Sequence, residues 1–414
     1  MTGSRSRAEF ARLFVHAAVA MMALAVGACT TVARPQTTQA AQYICANNEP
    51  TGQTVVAYVA ALEQAYSYNR YGARNSNGLI FALRRDIVRS DEIHDGEALT
   101  AVATADDGAR AGEVRLRADK RARPMVLRVR QGDILEVHFT NLIGTSDESG
   151  QRSPDIAHPA EMVPNDRDEL ATRDVSFHVN GLEALDDIRA LGVNVGRNPR
   201  STVHPGETIV VRYRAQAEGT YLLHSAADPV GGEGYGGQTG LGLFGAINIE
   251  PRCSRWYRSQ VDEASMKAST AGTSALGTPV IDYDWKRGDK PRLGLVNAAN
   301  EIVHSDLNAI IEQDRAEDEY CPALKTGPAA NCGLSFREFT AIFHDEATVD
   351  QAFTQLDDED DPISAIRDGM GINYGVSGLG SMVLANRARD PAGKPVFALD
   401  ESRQCVECKL GSSF

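Results

Sequence analysis

The sequence predicts an all-β chain built as two β-sandwich units in tandem. Three observations carry that expectation. Apolar residues recur with period two in short runs, the spacing that lines one face of a strand. Turns containing Gly or Pro break these runs at short intervals, as antiparallel sandwiches require. The 414 residues are 42% hydrophobic and 24% charged, enough for two or three domains with real cores.

Residues 1–28 read as an export signal. Arg5, Arg7 and Arg12 precede an apolar run from Leu13 to Ala28, a basic start followed by an apolar middle and small residues. The run is short for a membrane span. Val26-Gly27-Ala28-Cys29 matches a lipobox, which makes Cys29 the lipidated first residue of the mature chain. Plain secretion is the alternative. The expected location is the periplasm or the outer membrane, with membrane contact only through the lipid. Residues 29–50 are polar and rich in Ala, Thr and Gln, a flexible tether.

Residues 51–252 form the first unit. In 55–68, Val55, Val59, Leu62 and Ala65 suit one face of a helix. The stretches 126–130 and 134–140 alternate. Leu127, Val129, Leu135, Val137 and Phe139 face one way; Arg128, Arg130, Glu136 and His138 face the other. Gln131-Gly132-Asp133 between them reads as a hairpin turn. Ile209, Val211 and Tyr213 repeat the pattern after Pro205-Gly206, and 246–250 closes the unit before Pro251. Residues 253–277 read as a polar linker with a short helix. The second unit, 278–414, has its clearest strands at 293–296 and 338–343.

The formal net charge is −14. The first 28 residues hold three Arg and one Glu, so the remainder stands at −16. Such a chain repels nucleic acid and anionic lipid and weakly concentrates cations. The acidic run Asp357-Asp358-Glu359-Asp360-Asp361 lacks the ligand spacing and glycine of a calcium loop and reads as a solvated loop. With Cys29 lipidated, six cysteines remain, an even number that favours disulfides in an exported chain. Cys321 and Cys332 flank a short loop, Cys45 and Cys253 sit at the two ends of the first unit, and Cys405-x-x-Cys408 reads as structural rather than redox-active. Gly232-x-Gly234-x-x-Gly237 spells a dinucleotide fingerprint, but it lies between strands with no helix expected after it.

The stretch carrying most chemical information is 175–250. It contains Val175-Ser176-Phe177-His178-Val179-Asn180-Gly181-Leu182 and Gly219-Thr220-Tyr221-Leu222-Leu223-His224-Ser225-Ala226. On strands, His178 and Asn180 share a face, as do His224 and Ala226. A copper cluster there would take imidazole at all four positions, and two of the four are histidine. The pattern resembles the first cupredoxin domain of multicopper oxidases. It is more similar still to the large bacterial branch associated with manganese(II) oxidation. That likeness runs over about 55–409. It rests on Phe177-His178-Val179-Asn180-Gly181, Val195-Gly196-Arg197-Asn198-Pro199, Gly231-Gly232-Glu233-Gly234, Arg337-Glu338-Phe339-Thr340, His344-Asp345-Glu346, Ile372-Asn373-Tyr374-Gly375 and Cys405-Val406-Glu407-Cys408-Lys409.

The resemblance implies a cupredoxin-like Greek-key fold for both units and a strand, not a helix, at 55–68. It implies copper as cofactor, with His178 and His224 at cluster-ligand positions. It also implies further strands after Lys409, so the second unit reads as incomplete: a piece of a longer gene, or a short form that closes differently. The histidine-dense copper motifs of that branch have no counterpart here. No cysteine is flanked by histidine, and the chain has nine histidines. His94, His138, His158 and His204 fall at loop, turn or outward-facing positions. His344 beside Asp345 and Glu346, and His304 near Asp306, are weaker metal candidates. The expected function is therefore the copper-poor N-terminal part of an exported oxidase, non-catalytic alone, whose partners are the remaining cupredoxin domains and metal ions. A weak copper-carrying module and a structural envelope lipoprotein are the alternatives.

Overall fold

The computed structural model describes residues 52–68, 73–90, 98–101, 107–118, 120–144, 172–186, 188–193, 199–228, 237–259, 267–273, 275, 277, 279–281, 293–313, 336–351 and 366–373. The signal and tether readings, Cys29, Cys45, Cys321, Cys332, Cys405, Cys408, the acidic run, His94 and His158 lie outside them. Cys253 is disulfide-bonded.

The described chain is all-β. Its first strands are β1 (Thr54–Glu63), β2 (Tyr66–Ser67), β3 (Ala73–Asn75), β4 (Leu79–Leu83), β5 (Ile87–Arg89) and β6 (Val114–Leu116). Next come β7 (Met125–Arg130), β8 (Ile134–Asn141), β9 (His178–Val179), β10 (Glu183–Ala184), β11 (Thr208–Arg214), β12 (Gly219–His224) and β13 (Phe244–Glu250). The later strands are β14 (Ser254–Arg258), β15 (Thr270–Thr273), β16 (Pro279–Ile281), β17 (Asn308–Gln313), β18 (Phe336–Phe339), β19 (Ile342–Gln351) and β20 (Ile366–Asn373). One helical turn, α1 (Gly237–Gly240), precedes β13. It follows the Gly-rich stretch where no helix was expected, and a single turn is too short to receive a pyrophosphate.

Two sheets form the sandwich, in the orders β10-β11-β8-β1-β4 and β7-β13-β12-β9. Their inner faces meet in one apolar core. β1 supplies Val55, Ala57, Val59 and Ala61; β8 supplies Leu135, Val137 and Phe139; β7 supplies Leu127 and Val129; β13 supplies Ile247 and Ile249. This is the predicted alternation. β1 is a strand, as the resemblance implied. Ala60 and Leu62 on its other face are also buried, in a second core beneath β4 and β5. A strand covered on both sides reads as a continuous apolar run, and so mimics a helical face. At the centre, Phe177 packs on Phe81 and Phe139 at ring separations of 5.9 and 5.6 Å. Replacing any one of these rings with Ala costs about 3–5 kcal/mol.

Several sequence expectations need correction. Gln131-Gly132-Asp133 is not a hairpin. β7 pairs with β13 in one sheet, and β8 pairs with β1 and β11 in the other, so the turn crosses between sheets. Gly132 adopts φ 96° there, a left-handed conformation that glycine accepts freely. Asp133 is buried and accepts from the main-chain nitrogens of Gly52 and Gln53 and from Arg130 Nε. Arg128 and Arg130 do point away from the core, yet both are buried, Arg128 against Asp306, Leu307 and Glu338. The polar stretch 253–277 contains β14, whose Trp256 and Tyr257 are buried, together with β15. Residues 293–296 make only isolated bridges. The expected strand 338–343 is interrupted, with β18 ending at Phe339 and β19 starting at Ile342.

Beyond the sandwich, β14-β17-β18 form a three-stranded sheet and β2-β3-β19-β20 a four-stranded one. Leu307 and Ile342 pack on Val126 and Ala246, covering part of the outward face of β7 and β13.

Candidate functional site

The strand register brings the two predicted histidines together. His178 opens β9, His224 ends β12, and they stand directly opposite each other in the antiparallel ladder. Val179 and Leu223, their sheet neighbours, point into the core, so both imidazoles lie on the outward face. The rings meet edge to face with centroids 5.2 Å apart and an interplanar angle of 83°.

Each ring is held through Nδ1. His178 Nδ1 donates to the carbonyl of Leu191, at the end of a 3-10 turn (Ile188–Leu191) whose last carbonyls need partners. His224 Nδ1 donates to the Ser225 carbonyl at 3.1 Å. Burial holds the His224 pKa below the ordinary imidazole range; the Ser225 carbonyl opposes this, and the neighbouring His178 adds to it. Its Nε2 lies 3.4 Å from Asn180 Oδ1, an acceptor. A metal-ligating histidine commonly donates its other ring N–H to a main-chain carbonyl in this way.

The remaining two positions do not supply imidazole. Asn180 follows β9 and keeps to the His224 side, as predicted, but offers only a carboxamide. Ala226 has a methyl side chain, and its main-chain nitrogen donates to Ser176 Oγ at 2.8 Å. Behind the pair lies a buried hydrogen-bonded knot that sequence reasoning missed. Ser225 Oγ accepts from Ser176 N at 3.0 Å and donates to Gln238 Oε1 at 2.6 Å. Gln238 Nε2 in turn donates to the carbonyls of Thr172 and Asp174 at 3.0 and 2.7 Å. This knot locks the ends of β9 and β12 in register. Its available signal was the pair of serines beside the two histidine motifs.

The other histidines are separate from this pair. His344 lies within β19, with its ring 4.4 Å from that of Phe244. His304 is held neutral by burial and by the nearby Arg258 guanidinium. His138 Nε2 meets Glu136 at 2.9 Å. His204 Nδ1 meets the buried Asp174 carboxylate, which also accepts from Thr202 Oγ1 at 2.8 Å. Among the described residues, no group of three His, Cys, Asp or Glu side chains is placed to hold a metal ion. The donors at the β9–β12 pair thus fit a two-imidazole site and do not fit a trinuclear copper cluster.

No protein-family model matches the chain, and no curated protein matches it. Solved structures do. A multicopper oxidase from Pseudomonas thermotolerans matches with 16% identity over 49% of this chain and 31% of its own, at a TM-score of 0.25. A copper nitrite reductase from Nitrosomonas europaea matches with 17% identity over 48% and 42%, at 0.23. A further multicopper oxidase matches with 14% identity over 51% and 46%, at 0.25. The chain thus spans less than half the length of each of these proteins. At such scores the functional weight falls on this chain's own side chains.

Proposed function

We propose that this chain is the N-terminal, copper-poor part of an exported multicopper oxidase of the manganese-oxidising kind. Its role there is to scaffold and pack against further cupredoxin domains that carry the redox copper. One observation carries the reading: His178 and His224 face each other at ligand-like positions, while a carboxamide and a methyl group stand where further imidazoles are needed. Two imidazoles cannot complete a centre that passes electrons to dioxygen. Oxidation of a metal ion such as Mn(II) is accordingly assigned to the longer polypeptide, and this chain alone does not turn over. Cys29 as a lipid anchor, and export to the cell envelope, belong to the same reading.

A second reading, a weak copper-binding module, is favoured by the two facing imidazoles, each with Nδ1 on a main-chain carbonyl as metal-ligating histidines are commonly held. Cu(II) titration of the mature chain, with the H178A/H224A double variant as control, separates the two. The scaffold reading expects no saturable copper binding that depends on the two histidines. The module reading expects one weak site that the double variant abolishes.

A further inference from the structure

The outward face of β7 and β13 carries a charged cluster that takes no part in the histidine site. Arg128 on β7 is 2% exposed. Its Nε and Nη2 donate to Glu338 Oε1 on β18 at 3.0 and 2.6 Å. Nη2 also donates to the Leu307 carbonyl at 2.8 Å, and Nη1 to the Asp306 carbonyl. Glu250 on β13 is likewise 2% exposed. Its Oε1 lies 3.2 Å from Arg128 Nε yet accepts no hydrogen bond, and its carboxyl meets that of Glu338. Asn248 Nδ2 donates to Glu338 Oε1 at 2.7 Å and to Thr340 Oγ1 at 2.9 Å.

The charges do not balance if both carboxyls are ionised, because one guanidinium faces two of them. Among the described residues no second cation pairs with either carboxyl: Arg130, opposite Glu250 in the ladder, directs its Nε to Asp133 at 2.8 Å. Asp306, from the segment before β17, directs its carboxylate to Arg123 and Arg258, each at 2.8 Å. His304 is held neutral. Asn248 and Thr340 carry no charge. A proton on the carboxyl pair removes the surplus negative charge and supplies the O–H donor that lets two carboxyls meet.

We propose that Glu250 and Glu338 share one proton at neutral pH, and that its loss loosens β17 and β18 from the sheet beneath them. The cluster is then a proton-operated latch. Burial raises the Glu250 pKa, the Glu338 charge adds to this, and Arg128 opposes both. A carboxyl whose pKa is raised in the closed state stabilises that state fully below the ordinary carboxylate range. The contribution is lost as pH climbs through the raised value, because the open state then binds fewer protons.

Hydrogen exchange of the mature chain, corrected for intrinsic rates, tests this between pH 5 and 9. Amides of β17 and β18 are expected to lose protection by up to ~10-fold per pH unit, the slope for one linked proton. Amides of β1 and β8 serve as the internal reference and stay flat. The E250Q variant, whose amide replaces the shared proton, should hold β17 and β18 protection constant. Protection independent of pH in the wild type, or an unchanged slope in E250Q, overturns the proposal. If E250Q fails to fold, the infrared C=O stretch of a protonated carboxyl in the wild type at pH 7 decides instead. Its presence supports the shared proton and its absence refutes it.

Discussion

The sheet β7-β13-β12-β9 carries polar side chains at both ends of its outward face, and the two ends are finished differently. At the β7–β13 end, Arg128, Asn248 and Glu250 are buried under a later segment and engaged with Glu338, Thr340 and two main-chain carbonyls. At the β12–β9 end, His178 and His224 are half-buried, each with Nδ1 on a main-chain carbonyl, and among the described residues no third His, Cys, Asp or Glu joins them as a metal-holding group. The first end shows polar groups used for assembly, where every donor has a partner. The second shows two rings set by main-chain carbonyls, with a carboxamide and a methyl group beside them. A polar side chain on an outward strand position is therefore no guide to solvent.

The contrast makes graded predictions. Its strongest test is Arg128→Ala, which leaves the buried Glu250 and the part-buried Glu338 without their cation and should cost about 3–5 kcal/mol in denaturant unfolding. A loss below about 1 kcal/mol would mean that the cluster is not an assembly device. Asn248→Ala removes the donor shared by Glu338 and Thr340, and should cost about 1–3 kcal/mol by the same measurement. The H178A/H224A pair, at partly exposed positions, should shift stability by less than about 1 kcal/mol. A larger loss would erase the distinction between the ends. The finest effect is in pH. His224 has a depressed folded-state pKa, so the stability it contributes is present above the ordinary histidine range and is lost as pH falls through the lowered value. Imidazole NMR titration should show His224 protonating at lower pH than a free histidine, and equal titration would count against burial as the setting of its ring.

Much of this was legible in the residues. The alternation in 126–130, 134–140 and 209–213 located β7, β8 and β11 with their correct inner faces. The resemblance put His178 and His224 at positions of one cluster, and the strand register sets them opposite each other. What stayed hidden depended on distant partners. Arg128 reads as a surface residue because Glu338 lies 210 positions away. The turn 131–133 reads as a hairpin because nothing within it shows that β7 will take β13 as its neighbour. β14 was lost in a stretch of polar composition, since its Trp256 packs with the distant Leu295, Ala309 and Ile311. β1 was ambiguous because burial on both faces erases the period that separates strand from helix.

The central claim is that these side chains cannot assemble a redox copper centre by themselves. Dioxygen consumption by the copper-loaded mature chain, measured with bound copper per chain and a reductant present, tests it most directly. The account predicts no turnover above free copper and no blue thiolate-to-copper absorption. Sustained oxygen reduction with stoichiometric, tightly held copper would contradict it.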